Sequence, residues 1–557
     1  MSVQPCPGVK VPEATARVAR ASNPQGTTAM WVRDRLDGLW TDDDFSAWYS
    51  RDGRPGISPA QLATVCVLQF LLNLSDRQAA EAVRCRVDFK YALGLELEDP
   101  GFHHSVLTDF RDRLAEQGRA DRLLDLALAR LAAAGLVKER GAQRTDSTHV
   151  LAAARDLTRL ELVTEAVRAA LEELARDAPE LLDDLVDEGW AERYGRPVRL
   201  CAQPTRPATR LQQAGADAFV LLTRIQGGVP ARAVGPMARA LRQILVQQYV
   251  LDRHGRPRPR TDKDGLPPGG RQIRSPYDLD TRFALRGNTR WSGYLLHVTE
   301  TCDVGSPNVI TDVATTTPTR DTAAVPGIHD RLARRALLPG EHFMDGGYLS
   351  VALLYQARNE HRVTLIGPVK ASGGWQHREQ TGFARDDFTI DFDHHQVTCP
   401  RGQTSTAWVQ APSQAPYISA RFHPRQCEPC PVRASCTRGP TARVVYFLPR
   451  HLHELQAQNR ADQQDPAWRK RYATRSGVEG TIAEFALGHQ ARRCRYHGMT
   501  KTHVQHVLTA IAVNIERLSH HDDQQTTPTR RPRRPTAFQQ YIDAHHLPRP
   551  LWWRQGK

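Results

Sequence analysis

Between residues 58 and 114 apolar side chains recur at three- and four-residue spacing, and the pattern is broken at intervals by residues that start or stop helices. Ser58-Pro59 sets an N-cap before a proline at the first helical position. Ser75-Asp76-Arg77-Gln78 caps a second helix predicted over 76–84, Gly94 ends a third, and His104 to Leu114 supplies a fourth. Upstream, Met30 to Tyr49 is rich in Trp and Leu. Short helices in this order suit a helix-turn-helix-like DNA module, with an ordinary helical bundle as the alternative. The apolar run from Leu62 to Leu74 is too short to span a bilayer.

The period then changes. Gln143 to Val150 reads as a short strand, and strand-like runs return at 293–301, 308–315, 341–344 and 363–366. Helical spacing fills 151–182 and 232–251, and the acidic stretch from Glu172 to Glu192 reads as a solvated helix face. Residues 254–270 form a Pro-, Gly- and Arg-rich loop. A β-rich segment spans about 371–448, helices follow at 468–486 and 503–518, and 528–557 is an Arg/Pro-rich tail expected to be flexible.

Composition narrows the partner. The 557 residues need two to four domains or large insertions, and a formal charge of +14 favours a polyanion, nucleic acid before membrane. Only 8 of the 75 basic residues are lysine; arginine's planar fork suits phosphate, although a GC-rich genome would produce the same bias. The opening MSVQPCPGVK has no apolar core, so a cytoplasmic, nucleoid-associated protein is expected. Ten cysteines in that compartment point to metal rather than disulfides. Six are scattered, at 6, 66, 85, 201, 302 and 494. The other four form a C…C-x2-C-x5-C cluster at Cys399, Cys427, Cys430 and Cys436. Four thiolates around a C-x2-C knuckle suit one tetrahedral, structural Zn²⁺. Four free thiols are the alternative, as is substitution of one ligand by His394, His395 or His423.

Three acids stand in unlike settings. Asp146 lies inside the strand-like RTDSTHV, Asp345 follows the strand end His342-Phe343-Met344 and precedes two glycines, and Glu479 closes Tyr472…Arg475…Glu479. On one helix that i, i+3, i+7 spacing places all three of the last group on a single face. Singly, each acid reads as a turn residue, a cap or a surface ion-pair partner.

Together and in order, these motifs resemble the DDE transposases of bacterial insertion sequences in the Y-x2-R-x3-E branch, and more narrowly the insertion sequence 1182 family. The resemblance rests on Arg144-Thr-Asp146-Ser-Thr-His-Val150, Met344-Asp345-Gly-Gly-Tyr348 and Tyr472…Arg475…Glu479-Gly-Thr481. It extends to Ser275-Pro-Tyr-Asp278, Trp291-Ser-Gly-Tyr294, Gly367-Pro368, Arg495-Tyr-His-Gly498 and the helix from Lys501. It implies Asp146, Asp345 and Glu479 holding two Mg²⁺ ions, replaceable by Mn²⁺, for cleavage and strand transfer of double-stranded DNA. The DNA would be the element's terminal inverted repeats and a target, and the protein a homodimer or higher multimer with no membrane partner. Tyr472 and Arg475 would contact the DNA backbone. The related pattern also has a basic residue seven positions after the glutamate, where this chain has Ala486, so either Arg492, Arg493 or Arg495 would supply that contact or this branch does without it.

The expected fold is α/β: an RNase H-like core over 141–520, interrupted by a helical insertion at about 156–290 and a zinc-binding β-rich insertion at about 371–450. It would follow an arm over 1–57 and the helical DNA-binding domain over 58–140, and precede a basic tail over 521–557. Two other functions fit the same motifs: a domesticated DNA-binding protein without catalysis, and an RNase H-fold nuclease without strand transfer.

Overall fold

The computed structural model describes residues 10–547 apart from 51, 55, 155, 198–205, 229–234, 370–373, 380, 415 and 527–534. Cys6, Cys201 and the last ten residues of the tail lie outside the described residues.

The apolar run at 62–74 folds as helix α3 (Pro59–Leu71) at the centre of a helical group, after α1 (Glu13–Ser22) and α2 (Thr28–Leu36). Every residue from Leu62 to Phe70 is buried. The expected caps form: Ser58 Oγ accepts from the Gln61 N–H, and Ser75 and Gln78 make a reciprocal capping box. They open α3 and α4 (Asp76–Cys85); α5 (Val87–Leu93) ends on Gly94 in the left-handed region at φ 65°. Helices α6 (Ser105–Leu114) and α7 (Arg119–Ala133) complete the group. Two helices and a 3-10 turn thus lie within the stretch expected to be an arm.

Strand β1 (Arg140–Leu151) follows, and then an insertion with its own core. It contains α8 (Arg159–Asp177), α9 (Glu188–Tyr194), α10 (Pro207–Gly228), α11 (Pro236–Gln248) and a hairpin of β2 (Tyr249–Leu251) and β3 (Pro257–Pro259). The acidic stretch is exposed as expected, with Glu173 as the exception. Glu173 is buried and accepts the N–H groups of Met237 and Ala238, both at 2.9 Å, where the start of α11 needs acceptors.

The central sheet runs β4 (Arg282–Arg286), β5 (Thr289–Thr301), β1, β7 (Pro339–Phe343), β8 (Thr364–Ile366), with β6 (Ile310–Thr316) also on β5. Pairing is antiparallel through β4, β5, β6 and β1, and parallel from β1 to β7 to β8. Gly293 is required at the β1–β5 crossing: a Cβ there would lie 2.0 Å from the Val150 carbonyl oxygen. Helices α12 (Val325–Arg334) and α13 (Val351–His361) make the crossovers. This mixed α/β sheet with helices fits an RNase H-like core.

A second insertion holds α14 (Trp375–Glu379), β9 (Thr389–Asp391), β10 (Gln396–Thr398), β11 (Ala407–Val409), β12 (Ile418–Arg421), α15 (Pro424–Cys427), α16 (Arg433–Cys436) and β13 (Val444–Phe447). Phe388, Val397, Phe422 and Phe447 are among the residues of its small core. The chain returns through α17 (Arg450–Asp462) and α18 (Pro466–Tyr472). The single helix expected over 468–486 is broken: a 3-10 turn at Ala473–Ser476 precedes α19 (Gly477–Ala483), and a π turn at Glu484–Gly488 follows it. Two glycines, 477 and 480, weaken the helix here, and the Thr474 carbonyl is drawn aside to accept from Arg144 at 2.8 Å. Helix α20 (Met499–Thr526) packs on β6 and, on its other side, on α3 and α7, so one hydrophobic core runs from the N-terminal helices into the sheet. Asn514 fastens it by exchanging two hydrogen bonds, at 2.7 and 2.9 Å, with the Ile310 backbone. Within the expected tail, α21 (Ala537–Ala544) forms behind a Thr536–Gln539 capping box.

Candidate active site

Parallel pairing of β1 with β7, in register from Arg140–Pro339 to Arg144–Phe343, places the residues just beyond that ladder side by side. Those residues include Asp146 and Asp345. Asp146 is 8% exposed and accepts from the Ser147 N–H at 2.7 Å; Asp345 Oδ1 accepts from the Gly347 N–H at 2.6 Å. Glu479, in the first turn of α19, arrives from the other side. All three meet at Arg475: its guanidinium lies 2.7 Å from Asp146 Oδ2, 3.7 Å from Asp345 Oδ2 and 2.9 Å from Glu479 Oε1. Arg475 Nε is buried without a hydrogen-bond partner.

Burial raises the Asp146 pKa above the usual carboxylate range, and the like charge of Asp345 adds to it. The Ser147 N–H and Arg475 pull the other way and lose. An ion pair alone would lower an acid, so the low exposure of this strand decides the sign. Arg475 is itself opposed by burial, yet Asp146 and Asp345 raise its pKa overall and hold it cationic.

Behind the aspartates lies a neutral polar layer. Thr145 Oγ1 meets His342 Nε2 at 2.7 Å, His342 Nδ1 meets His329 at 3.1 Å, and His297 Nδ1 meets the Tyr348 hydroxyl at 2.6 Å. Burial lowers His297 and His329 to about 4 and His342 well below its ordinary value. Tyr348 is fully buried, and burial, with Asp321, Asp146 and Asp345 nearby, raises its phenol. Asp321, just before α12, is a further carboxylate at this end of the sheet. Its Oδ1 accepts from Ser147 Oγ at 3.3 Å, and Arg286 stands 4.0 Å from it. A cleft of about 1320 Å³ opens beside it, between the β4–β5 edge and the second insertion, lined in part by Arg286, Trp291, Gly347, Trp375 and Tyr446.

Glu479 owes its place to charges invisible in its own motif. Glu300 on β5 is fully buried; its Oε1 accepts from Arg144 Nε at 2.7 Å, and its Oε2 from Thr481 Oγ1 at 2.7 Å and Arg517 at 2.8 Å. Thr481 is two residues after Glu479, so this network clamps α19 to the sheet and to α20. Gly477 makes the approach possible, since a Cβ there would lie 2.0 Å from the Arg144 guanidinium. Neither Glu300 nor Arg517 stands out along the chain; only the buried acid inside an apolar strand hints at it.

The expected DNA contacts divide. Tyr472 stacks on Trp468 at 5.1 Å, one turn before Arg475. Arg492 Nε donates to Thr148 Oγ1 at 2.9 Å, two residues along β1 from Asp146 and on the same face, while Arg493 is exposed. Arg495 donates to the Leu74 carbonyl at 2.8 Å and to Asn73, and lies over the Phe70 ring, so it ties α20's approach to the N-terminal helices. Arg111 on α6 is buried against Asp76 and Gln69. Arg86 pairs with Asp88, leaving Arg77 and Arg84 exposed on α4. Asp278, Tyr294 and Gly498, from three separate motifs, join in one cluster: Asp278 accepts from the Tyr294 hydroxyl at 2.5 Å and the Gly498 N–H at 3.2 Å.

Cys399, Cys427, Cys430 and Cys436 line a single cavity of about 40 Å³. Gly402, at φ 78°, closes the turn in which its N–H donates to the Cys399 carbonyl at 2.8 Å. Burial raises the Cys436 thiol against the pull of Arg443, and the other three sulfurs push the same way as burial. His394 binds Asp391, His395 lies against Trp408, and His423 caps α15; the cavity lining includes none of them. At the π turn, Glu484, His489 and Glu516 bring donor atoms within 4.8 Å of one another. There Arg517 pairs with Glu484, and His489 bonds Glu516 and the Phe70 carbonyl, so the group packs α20.

Comparison with known families fits this geometry. Residues 398–519, which carry the four cysteines, Glu479 and most of α20, match a family described as a transposase DDE domain. Residues 18–113, the N-terminal helices, match a family described as a transposase domain (DUF772). No curated protein and no solved structure matches the chain. The two matches support a DDE-type transposase, a class that acts on DNA and generally uses divalent metals such as Mg²⁺. Among the described residues no helix is long and apolar enough to cross a membrane.

Proposed function

We propose that the protein is an insertion-sequence transposase of the insertion sequence 1182 family that cleaves the ends of its element and transfers them to target DNA, with Asp146, Asp345 and Glu479 as the metal-holding acids. The observation that carries this reading is the convergence of three acids, 199 and 134 positions apart in sequence (345 − 146 and 479 − 345), on one guanidinium. Carboxylate oxygens are the donors that Mg²⁺ prefers. Bound there, the metal would supply Lewis-acid polarisation of a phosphodiester and activation of a water or a DNA 3′-hydroxyl. The chain's own residues do the rest. Asp146 and Asp345 fix two carboxylates on a rigid sheet end, Glu479 closes the site from α19, and Tyr472, Arg475 and Arg492 hold backbone phosphates beside it. Asp146→Asn, Asp345→Asn and Glu479→Gln should each cut Mg²⁺-dependent cleavage on the order of a thousandfold while leaving DNA binding in place. Near-normal cleavage by any one of them would remove that residue from the site.

The four cysteines are proposed to hold one structural Zn²⁺, supported by their shared cavity and the chemistry of four thiols. Purified protein should contain one zinc per chain, and Cys430→Ser should lose it and loosen the second insertion. Zinc-free protein prepared without chelators would refute the assignment.

A further inference from the structure

Arg475 stands where a divalent cation held by Asp146, Asp345 and Glu479 would have to stand. A metal ion bound to Asp146 Oδ2 at about 2.1 Å would share that oxygen with a guanidinium nitrogen 2.7 Å away. We propose that Arg475 is a displaceable counter-cation: it neutralises the three carboxylates until metal loads, and it must leave for loading to occur. This inference rests on reading those acids as the metal site.

The way Arg475 is held fits a side chain that leaves. Its Nε is buried and unpartnered, its reach to Asp345 is long at 3.7 Å, and its side chain keeps 16% exposure. It springs from a four-residue 3-10 turn, beside a partner, Glu479, that is 63% exposed. Another cation of this region, Arg286, is set to one side, 3.0 Å from Ser147 Oγ and 4.0 Å from Asp321. Once displaced, Arg475 is free for the backbone-phosphate contact proposed above, where a planar fork binds with two hydrogen bonds. One side chain then serves the site in two positions, and metal loading opposes the first.

The test is Mn²⁺ affinity of the full chain without DNA, by calorimetry or by electron paramagnetic resonance of free Mn²⁺. Arg475→Ala should bind Mn²⁺ about tenfold tighter or more than the unaltered protein, and Arg475→Lys, whose single ammonium cannot bridge three acids, should fall between. Arg286→Ala should tighten binding far less. Equal or weaker binding by Arg475→Ala would overturn the proposal. So would an Arg286→Ala gain as large as that of Arg475→Ala, because simple charge removal would then explain both. If Arg475→Ala does not fold, Arg475→Lys decides: tighter binding supports displacement and unchanged binding overturns it. Asp146→Asn separates the two layers. If it weakens Mn²⁺ binding while Arg475→Ala changes nothing, only the counter-cation falls; if it has no effect, the metal reading of the acids falls and takes the inference with it.

Discussion

Asp146 lies inside β1 and Asp345 two residues past the end of its parallel neighbour β7, both backed by a buried layer of threonine, histidine and tyrosine, whereas Glu479 rides a seven-residue helix between a 3-10 turn and a π turn. The aspartates are placed by the backbone ladder itself. The glutamate is placed by a charge network, Glu300 with Arg144, Thr481 and Arg517, whose members lie as far as 373 residues apart (517 − 144). A ladder fixes position through many weak bonds, so no single side chain decides it; a buried ion network concentrates the same task in a few groups.

Breaking that network should therefore have the largest effect on stability. Glu300→Gln leaves two arginines facing an uncharged amide inside the protein, and should cost about 3–5 kcal/mol in urea unfolding, with cleavage lost alongside. A loss near that of a surface substitution would mean α19 is held by other contacts.

Next comes the layer behind the aspartates. His297 and His329 are neutral in the fold with pKa values near 4, below the ordinary 6.5 of an unfolded histidine. Their contribution is present above pH 6.5 and is lost as pH falls toward 4, because the unfolded chain binds the protons first. Between pH 7 and pH 5 each should account for about 2 kcal/mol of lost stability, and His297→Gln should flatten the curve measured by urea midpoints. An unchanged slope would place the acid sensitivity elsewhere.

The smallest effect sharpens the contrast from the aspartate side. The raised Asp146 pKa means that the ionised carboxyl costs stability in the fold. That cost appears as pH rises from the ordinary carboxylate range through the raised value. Asp146→Asn, inactive, should thus be slightly more stable than the unaltered protein at neutral pH and equal to it in acid. A destabilised Asn variant at pH 7 would mean that the Arg475 pair outweighs burial after all.

What sequence could reveal follows the same division. Strands β1, β5, β6, β7 and β8 were legible because alternation and apolar runs are local, as were the Ser58, Ser75 and Gly94 caps. The three acids were legible as a set of motifs. Side-chain direction was not: Arg495 and Glu173 read as exposed charges but are spent on partners distant in the chain. The break in the helix over 468–486 has a local part, Gly477 and Gly480, and one that no local pattern shows: Arg144, more than three hundred residues earlier, draws the Thr474 carbonyl.

Helix α20 lies against α3 and α7 on one side and β6 on the other, with Arg495 bonded back to the loop after α3. The two matched segments, 18–113 and 398–519, are far apart in the chain yet share this helix as a common wall. A version of the protein cut before β1 would bare a long greasy stripe to water and should clump instead of behaving as a lone catalytic half. The same shared wall limits shuffling over evolutionary time. Exchanging the front segment for another binding head would demand matching changes along α20, so the two segments should be inherited as a pair.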